Sequence, residues 1–247
     1  GRVPTIQHVV NEIVAAGILD IIVVTGAGKR AVEDHLDEVG RRGESPARFS
    51  YVSQKEQLGL GDAVNAAAGA VGERAFVVAL GDGIIAGPGQ GSLLLRMLAM
   101  YEREDACAVV AAQRVAGADV SRYGVFAPGE ACRDGFGVSD LVEKPPVGGA
   151  PSDMAVCARY VFRSTIFDYL GRQAPGTGGE IQLTDAIAAM ARECGGVYAC
   201  PLVAGERRLD VGTCGATAMR LPSCWQAPWT LDAAPGMQEP GHRQRRD

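Results

Sequence analysis

Lysine is scarce in this chain: of 24 Lys and Arg side chains only Lys29, Lys55 and Lys144 are lysines. Chemistry that needs an ammonium group therefore has three places to find it. The seven cysteines form no CxxC pair and are odd in number, so neither a zinc site nor a disulfide framework is indicated, and a reducing cytoplasm is the expected compartment. No apolar run reaches the length of a membrane-spanning helix, and no basic segment followed by an apolar core marks a signal peptide, so no membrane partner is expected. His8, His35 and His242 stand without partners at ligand spacing, and no Gly-x-Ser-x-Gly or Cys–His nucleophile pattern occurs. A net charge of −5 denies nucleic acid the basic face it requires. It leaves a nucleotide open, because one Lys and one metal ion can manage a triphosphate locally.

The 247 residues, 47% of them hydrophobic, suffice for one α/β domain with a substantial core. Apolar periodicity predicts helices at 6–16, 29–39, 60–72, 93–101 and 180–192, and strands at 21–25, 48–53, 75–80, 106–112 and 197–203. Strands alternating with helices imply parallel βαβ units, which bind ligands at the carboxyl ends of their strands. From Tyr123 the rhythm changes to short strand-like pieces at 124–126, 141–143 and 155–162, an added mixed or antiparallel layer. Residues 214–247 show no periodicity and carry four prolines, so a domain over 1–213 and an irregular tail over 214–247 are expected.

Acids at strand ends are the chemical candidates. Asp82 follows a buried strand between two glycines, where a carboxylate can hold Mg²⁺ or simply make a turn. Asp210, before Val211-Gly212, reads from local sequence as a helix cap or turn acid. Glu143 and Lys144 are neighbours, so on a regular strand they face opposite ways. They serve one ligand only if the strand twists or ends there, and Pro145 is consistent with an ending. Gln54 offers an amide suited to a pyrimidine edge, and Gly59 lets the backbone approach a flat base; both also read as a loop entering a helix. Thr25-Gly26-Ala27-Gly28-Lys29 fails the P-loop and dinucleotide spacings and reads as a helix-opening turn.

Three segments, Gln54-Lys55-Glu56-Gln57-Leu58-Gly59-Leu60-Gly61, Val142-Glu143-Lys144-Pro145 and Gly179-Glu180-Ile181-Gln182-Leu183-Thr184-Asp185-Ala186-Ile187, resemble the bacterial UTP–glucose-1-phosphate uridylyltransferases of the nucleotide-sugar pyrophosphorylase superfamily. The resemblance runs from Val3 to about Gly212. It implies a Rossmann-like α/β nucleotidyltransferase domain with a mixed central sheet, acting on UTP and glucose 1-phosphate to give UDP-glucose and pyrophosphate, with a second copy of the chain as a candidate partner. It implies Asp82 and Asp210 as Mg²⁺ ligands, Lys144 and Asp82 as catalytic groups, Gln54 and Gly59 at uracil, Gly124 and Glu143 at the hexose, and Lys144 at its phosphate. Thymidylyl transfer and a non-catalytic sugar-nucleotide-binding homologue are the alternatives.

The chain also departs from that pattern. Asp62 stands where the family has a His, and Ala158 replaces the Gly of a Gly-Arg-Tyr segment. The family's Gly-rich loop with its Arg, and the Pro-Lys-Glu segment with its Lys, would precede Gly1. An upstream piece is therefore expected, and little or no turnover from these 247 residues alone.

Overall fold

In a computed structural model, residues 3–26, 28, 30–176 and 179–210 are described. The expected tail over 214–247 lies outside them, as do Ala27 and Lys29 of the helix-opening turn.

The first part of the chain runs α1 (Thr5–Ala15), β1 (Asp20–Gly26), α2 (Ala31–Arg41), β2 (Arg48–Gln54), α3 (Leu60–Ala66), α4 (Ala68–Val71), β3 (Phe76–Ala79), β4 (Gly83–Ala86), α5 (Ser92–Arg103) and β5 (Ala108–Arg114). A short 3-10 turn (Gly117–Arg122) leads into β6 (Gly124–Cys132), β7 (Gly135–Glu143), β8 (Met154–Phe162), α6 (Ile166–Arg172), α7 (Leu183–Glu193), β9 (Val197–Pro201) and β10 (Arg207–Asp210). Six strands form a mixed sheet in the order β3-β8-β5-β9-β7-β6. Its centre joins β5 to β9 in parallel and to β8 antiparallel. The parallel β1–β2 and antiparallel β4–β10 ladders stand as separate pairs.

Strand β5 shows why the sheet is covered on both faces. Ala108, Val110 and Ala112 point into one apolar cluster with Leu183, Ala186, Ile187 and Met190 of α7. Val109 and Ala111 point into the other with Leu93, Leu94, Met97 and Met100 of α5. A strand buried on both sides reads as a continuous apolar run, and this one does. The four α5 side chains recur at helical spacing and are all within 1% of complete burial. Each such side chain stabilises the fold by about 2 kcal/mol.

Four expectations are corrected. The helix expected over 60–72 is two helices, broken at Ala67. The helix expected from Glu180 begins at Leu183, because the backbone of Ile181 is engaged elsewhere. The run expected to be one strand over 75–80 is followed, after a tight turn, by the unforeseen strand β4. The strand-like pieces at 124–126 and 141–143 are the ends of two nine-residue strands joined as a hairpin.

Candidate active site

The turn between β3 and β4 places the first acid. The Gly83 amide donates to the Leu80 carbonyl at 3.3 Å, closing a four-residue turn that leaves Asp82 exposed. Strand β4 pairs antiparallel with β10 so that Gly83 is the ladder partner of Asp210. Asp82 is thus one residue from Asp210's partner, which brings the two α-carbons within roughly 10 Å. Asp210 is half-buried, and its Oδ2 accepts a hydrogen bond from Arg208 Nη2 at 2.9 Å. Two carboxylates so placed suit Mg²⁺, which takes few protein carboxylates and fills its octahedron with water and phosphate oxygens. Among the described residues no group of three or more His, Cys, Asp or Glu could hold a metal, so ligand oxygens would have to complete the shell.

The residues expected at the hexose meet at the β6–β7 ladder, where Gly124 pairs with Glu143. A Cβ on Gly124 would stand 3.1 Å from Thr184 Oγ1 and 3.3 Å from Glu143 Oε2, so only glycine leaves that space clear. Glu143 ends β7, and Lys144 then takes φ +43°. That left-handed step breaks the alternation of the strand and brings Lys144 Nζ within 3.4 Å of Glu143 Oε1. The strand ends as the pair requires, and the charges share one side. Asp185, in the first turn of α7, lies close enough to this pair to feel the Glu143 charge. Burial first, and the Glu143 charge second, push its carboxyl above the ordinary range.

Gln54 closes β2, and its Nε2 donates to the Gly59 carbonyl at 3.2 Å and to Asp62 Oδ2 at 2.8 Å. The carboxylate that stands where the family has a His is therefore engaged by Gln54, which fixes the amide. Gly59 has φ +102°, and a Cβ there would meet the Ile181 carbonyl at 2.8 Å. Ile181 donates its amide to Leu58 O at 2.7 Å and accepts from the Gly61 amide at 2.8 Å. The segment before α7 is thus a strut. Ile181 braces the Gln54–Gly59 corner, and three residues later Thr184 packs at Gly124.

A second strut crosses from the Gly124–Glu143 ladder to the acids. The Tyr123 carbonyl accepts from the Lys144 amide at 3.0 Å, and the Arg208 guanidinium lies 5.3 Å from the Tyr123 ring centroid while it holds Asp210. Arg208 Nε is buried without a hydrogen-bond partner among the described residues. Sequence reasoning missed Arg208, Thr184 and the strut role of Ile181. Each works by a contact far away in the chain, and only the spacing of Arg208 two before Asp210, on one face of a strand, hinted at it. Two cavities, about 290 Å³ beside Cys107 and Cys194 and about 570 Å³ beside Pro128 and Phe136, lie apart from all these residues.

Comparison with known proteins agrees with this fold. The sequence profile described as nucleotidyl transferase matches residues 1–218. The chain is 42% identical over 228 residues to UTP–glucose-1-phosphate uridylyltransferase 1 of Staphylococcus saprophyticus, covering 85% of this chain and 77% of that protein. It is 41% identical over 202 residues to the UTP–glucose-1-phosphate uridylyltransferase of Bacillus subtilis, covering 74% and 68%. Among solved structures, a UDP-glucose pyrophosphorylase complexed with UDP-glucose superposes with a TM-score of 0.78 at 32% identity, covering 86% of this chain and 83% of that one. A UTP-bound UGPase from Acinetobacter baumannii superposes with a TM-score of 0.72 at 30% identity, covering 86% and 79%. With a mixed sheet of the same architecture and strand-end acids brought together by β4 and β10, the chain belongs to the nucleotidyl transferase family.

Proposed function

We propose that this protein transfers a uridylyl group from UTP to glucose 1-phosphate. A phosphate oxygen of the sugar attacks the α-phosphorus of UTP, the bond to the β-phosphate breaks, and pyrophosphate leaves with the electron pair. The observation that carries the reading is the Gly83–Asp210 ladder pairing, which brings Asp82 and Asp210 together, with Arg208 linking Asp210 to the Tyr123 ring next to Gly124. Asp82 and Asp210 would hold Mg²⁺, which supplies charge neutralisation for the phosphates. Lys144 binds the attacking phosphate, and Glu143 accepts hydrogen bonds from hexose hydroxyls. Gly124 offers its backbone to the sugar. Gln54, its Nε2 occupied by Asp62 and Gly59, presents its remaining amide oxygen to the uracil N–H, and the Gly59 corner, braced by Ile181, lends its backbone to the base. Positioning and charge stabilisation supply the catalysis.

Titration calorimetry with UDP-glucose, UDP and ADP-glucose tests recognition. The expected order is UDP-glucose tightest, with Gln54→Ala and Glu143→Ala each weakening it at least about tenfold. Absence of UDP-glucose binding, or equal binding of ADP-glucose, overturns the reading. Exchange of labelled pyrophosphate into UTP in the presence of UDP-glucose distinguishes transfer from binding alone, and dTDP-glucose as substrate distinguishes uridylyl from thymidylyl transfer.

A further inference from the structure

Arg159 is fully buried, and all five of its N–H donors are used. Its Nε donates to Glu12 Oε1 at 3.0 Å and its Nη2 to Glu12 Oε2 at 2.7 Å, a bidentate pair with a helix α1 carboxylate that is itself buried. The remaining donors go to carbonyls: Nη1 to Ala158 at 3.1 Å and Leu80 at 3.4 Å, and Nη2 to Gly83 at 2.7 Å. Leu80 and Gly83 are the two ends of the turn that carries Asp82.

A buried ion pair is a poor way to gain stability, because an apolar replacement of similar volume is often as good or better. What an apolar side chain cannot do is hold two carbonyls of one turn at fixed separation. The planar guanidinium does so, and Glu12 fixes the guanidinium from the opposite edge. The local backbone is arranged to permit it. Ala158 takes φ +54° at a bulge where β8 loses register with β5, between Val110 and Ala112. That bulge aims Arg159 at the turn, and its left-handed step accounts for the Gly of the family's Gly-Arg-Tyr segment.

We propose that Arg159 is a positioning residue for the divalent-cation site. By clamping the Leu80 and Gly83 carbonyls it sets the Asp82 turn, and through Gly83's ladder partner it sets Asp210 as well. This rests on the reading that Asp82 and Asp210 hold the metal, and the test separates the two ideas. Mn²⁺ binding is counted by electron paramagnetic resonance at one saturating UDP-glucose concentration, with the thermal midpoint of each protein recorded alongside. Arg159→Lys keeps a cation beside Glu12 but cannot span both carbonyls, so its Mn²⁺ dissociation constant rises at least about tenfold. Glu12→Gln turns one acceptor into a donor and frees one edge of the guanidinium, so it lowers the thermal midpoint and raises the Mn²⁺ dissociation constant by about threefold or more, less than Arg159→Lys does. Asp82→Asn reports on the metal reading itself. If Asp82→Asn weakens Mn²⁺ binding and Arg159→Lys does not, the positioning role is wrong and the metal reading stands. If Asp82→Asn binds as the parent does, the metal reading fails first. Should Arg159→Lys lose its cooperative transition, Glu12→Gln decides: an Mn²⁺ affinity weakened by about threefold or more supports the clamp, and an affinity equal to the parent's overturns it.

Discussion

Lys144 Nζ stands 3.4 Å from Oε1 of its own neighbour Glu143, an approach that two successive residues of a regular strand cannot make. The chain achieves it with φ +43° at Lys144, a backbone that only glycine adopts without cost. Strain and charge at this position can be separated. Lys144→Ala and Lys144→Gly both remove the ammonium group, and each is expected to weaken UDP-glucose binding by roughly tenfold or more. In urea unfolding, Lys144→Gly should exceed Lys144→Ala in stability by about 1 kcal/mol. Equal stabilities would count against the strain, and unchanged binding would remove Lys144 from the site.

Gly61 carries no left-handed φ, yet a Cβ there would stand 2.7 Å from the Ile181 carbonyl and 2.8 Å from its Cγ2. Gly61→Ala must therefore push the strut away from the Gln54–Gly59 corner. The expected cost is about 2–3 kcal/mol in urea unfolding, with a parallel loss of UDP-glucose affinity. Gly69→Ala makes the same change in α4 with nothing within 4 Å, and is expected to be neutral or to stabilise by up to about 1 kcal/mol. If the two variants respond alike, Ile181 does not brace the corner.

Asp82, Glu143, Lys144, Gln54, Gly59 and Gly124 could be singled out as candidates because each sits at a strand end or turn that periodicity and glycine punctuate, whereas Asp210 was singled out through the resemblance, its strand β10 having escaped periodicity. Nothing in the local sequence brings Asp82 and Asp210 together, because that depends on β4, four residues long and just beyond a turn, whose pairing with β10 no local pattern encodes. Helix α7 starts late for a similar reason: helical propensity from Glu180 onward yields to the bonds Ile181 makes with Leu58 and Gly61. Arg159 sat unremarked between Ala158 and Tyr160, since a charged residue in a strand ordinarily reads as solvent-facing. Its partner Glu12 lies on a helix near the other end of the described chain. The Ala158 departure was noticed through the resemblance, and its meaning came only with φ +54°.

Glu206 ties the approach to β10 onto α5. Its side chain is 2% exposed, pairs with Arg96 at 2.7 Å, and accepts from Ser92 Oγ at 2.9 Å and the Val203 amide at 3.0 Å. Burial alone would raise its carboxyl, but Arg96, the Val203 amide and the Ser92 hydroxyl outweigh that and hold it below the ordinary range. A carboxyl depressed by folding stabilises above its unfolded pKa, and that contribution is lost as pH falls through the folded value. Glu206→Gln should therefore cost about 2 kcal/mol at pH 7, with a shrinking difference from the parent in increasingly acid urea titrations. A difference independent of pH would mean that shape, not ionisation, carries the effect.

Asp185 carries the opposite sign. Burial, then the Glu143 charge, raises its carboxyl, so the folded chain holds that proton more tightly than the unfolded chain does. Ionising Asp185 therefore costs stability. The cost is absent in acid, sets in as pH rises through the ordinary aspartate range, and is complete above the raised folded value. Against it stands the favourable placement of an acid in the first turn of α7, worth about 0.3–1 kcal/mol at a helix start. The raised carboxyl means that burial and Glu143 win. Asp185→Asn, which keeps the shape without the charge, should melt above the parent at neutral pH and lose that advantage in acid. Thermal unfolding at the two pH values reads the difference. A parent that melts above Asp185→Asn at neutral pH would show that the helix terminus outweighs the neighbouring carboxylate.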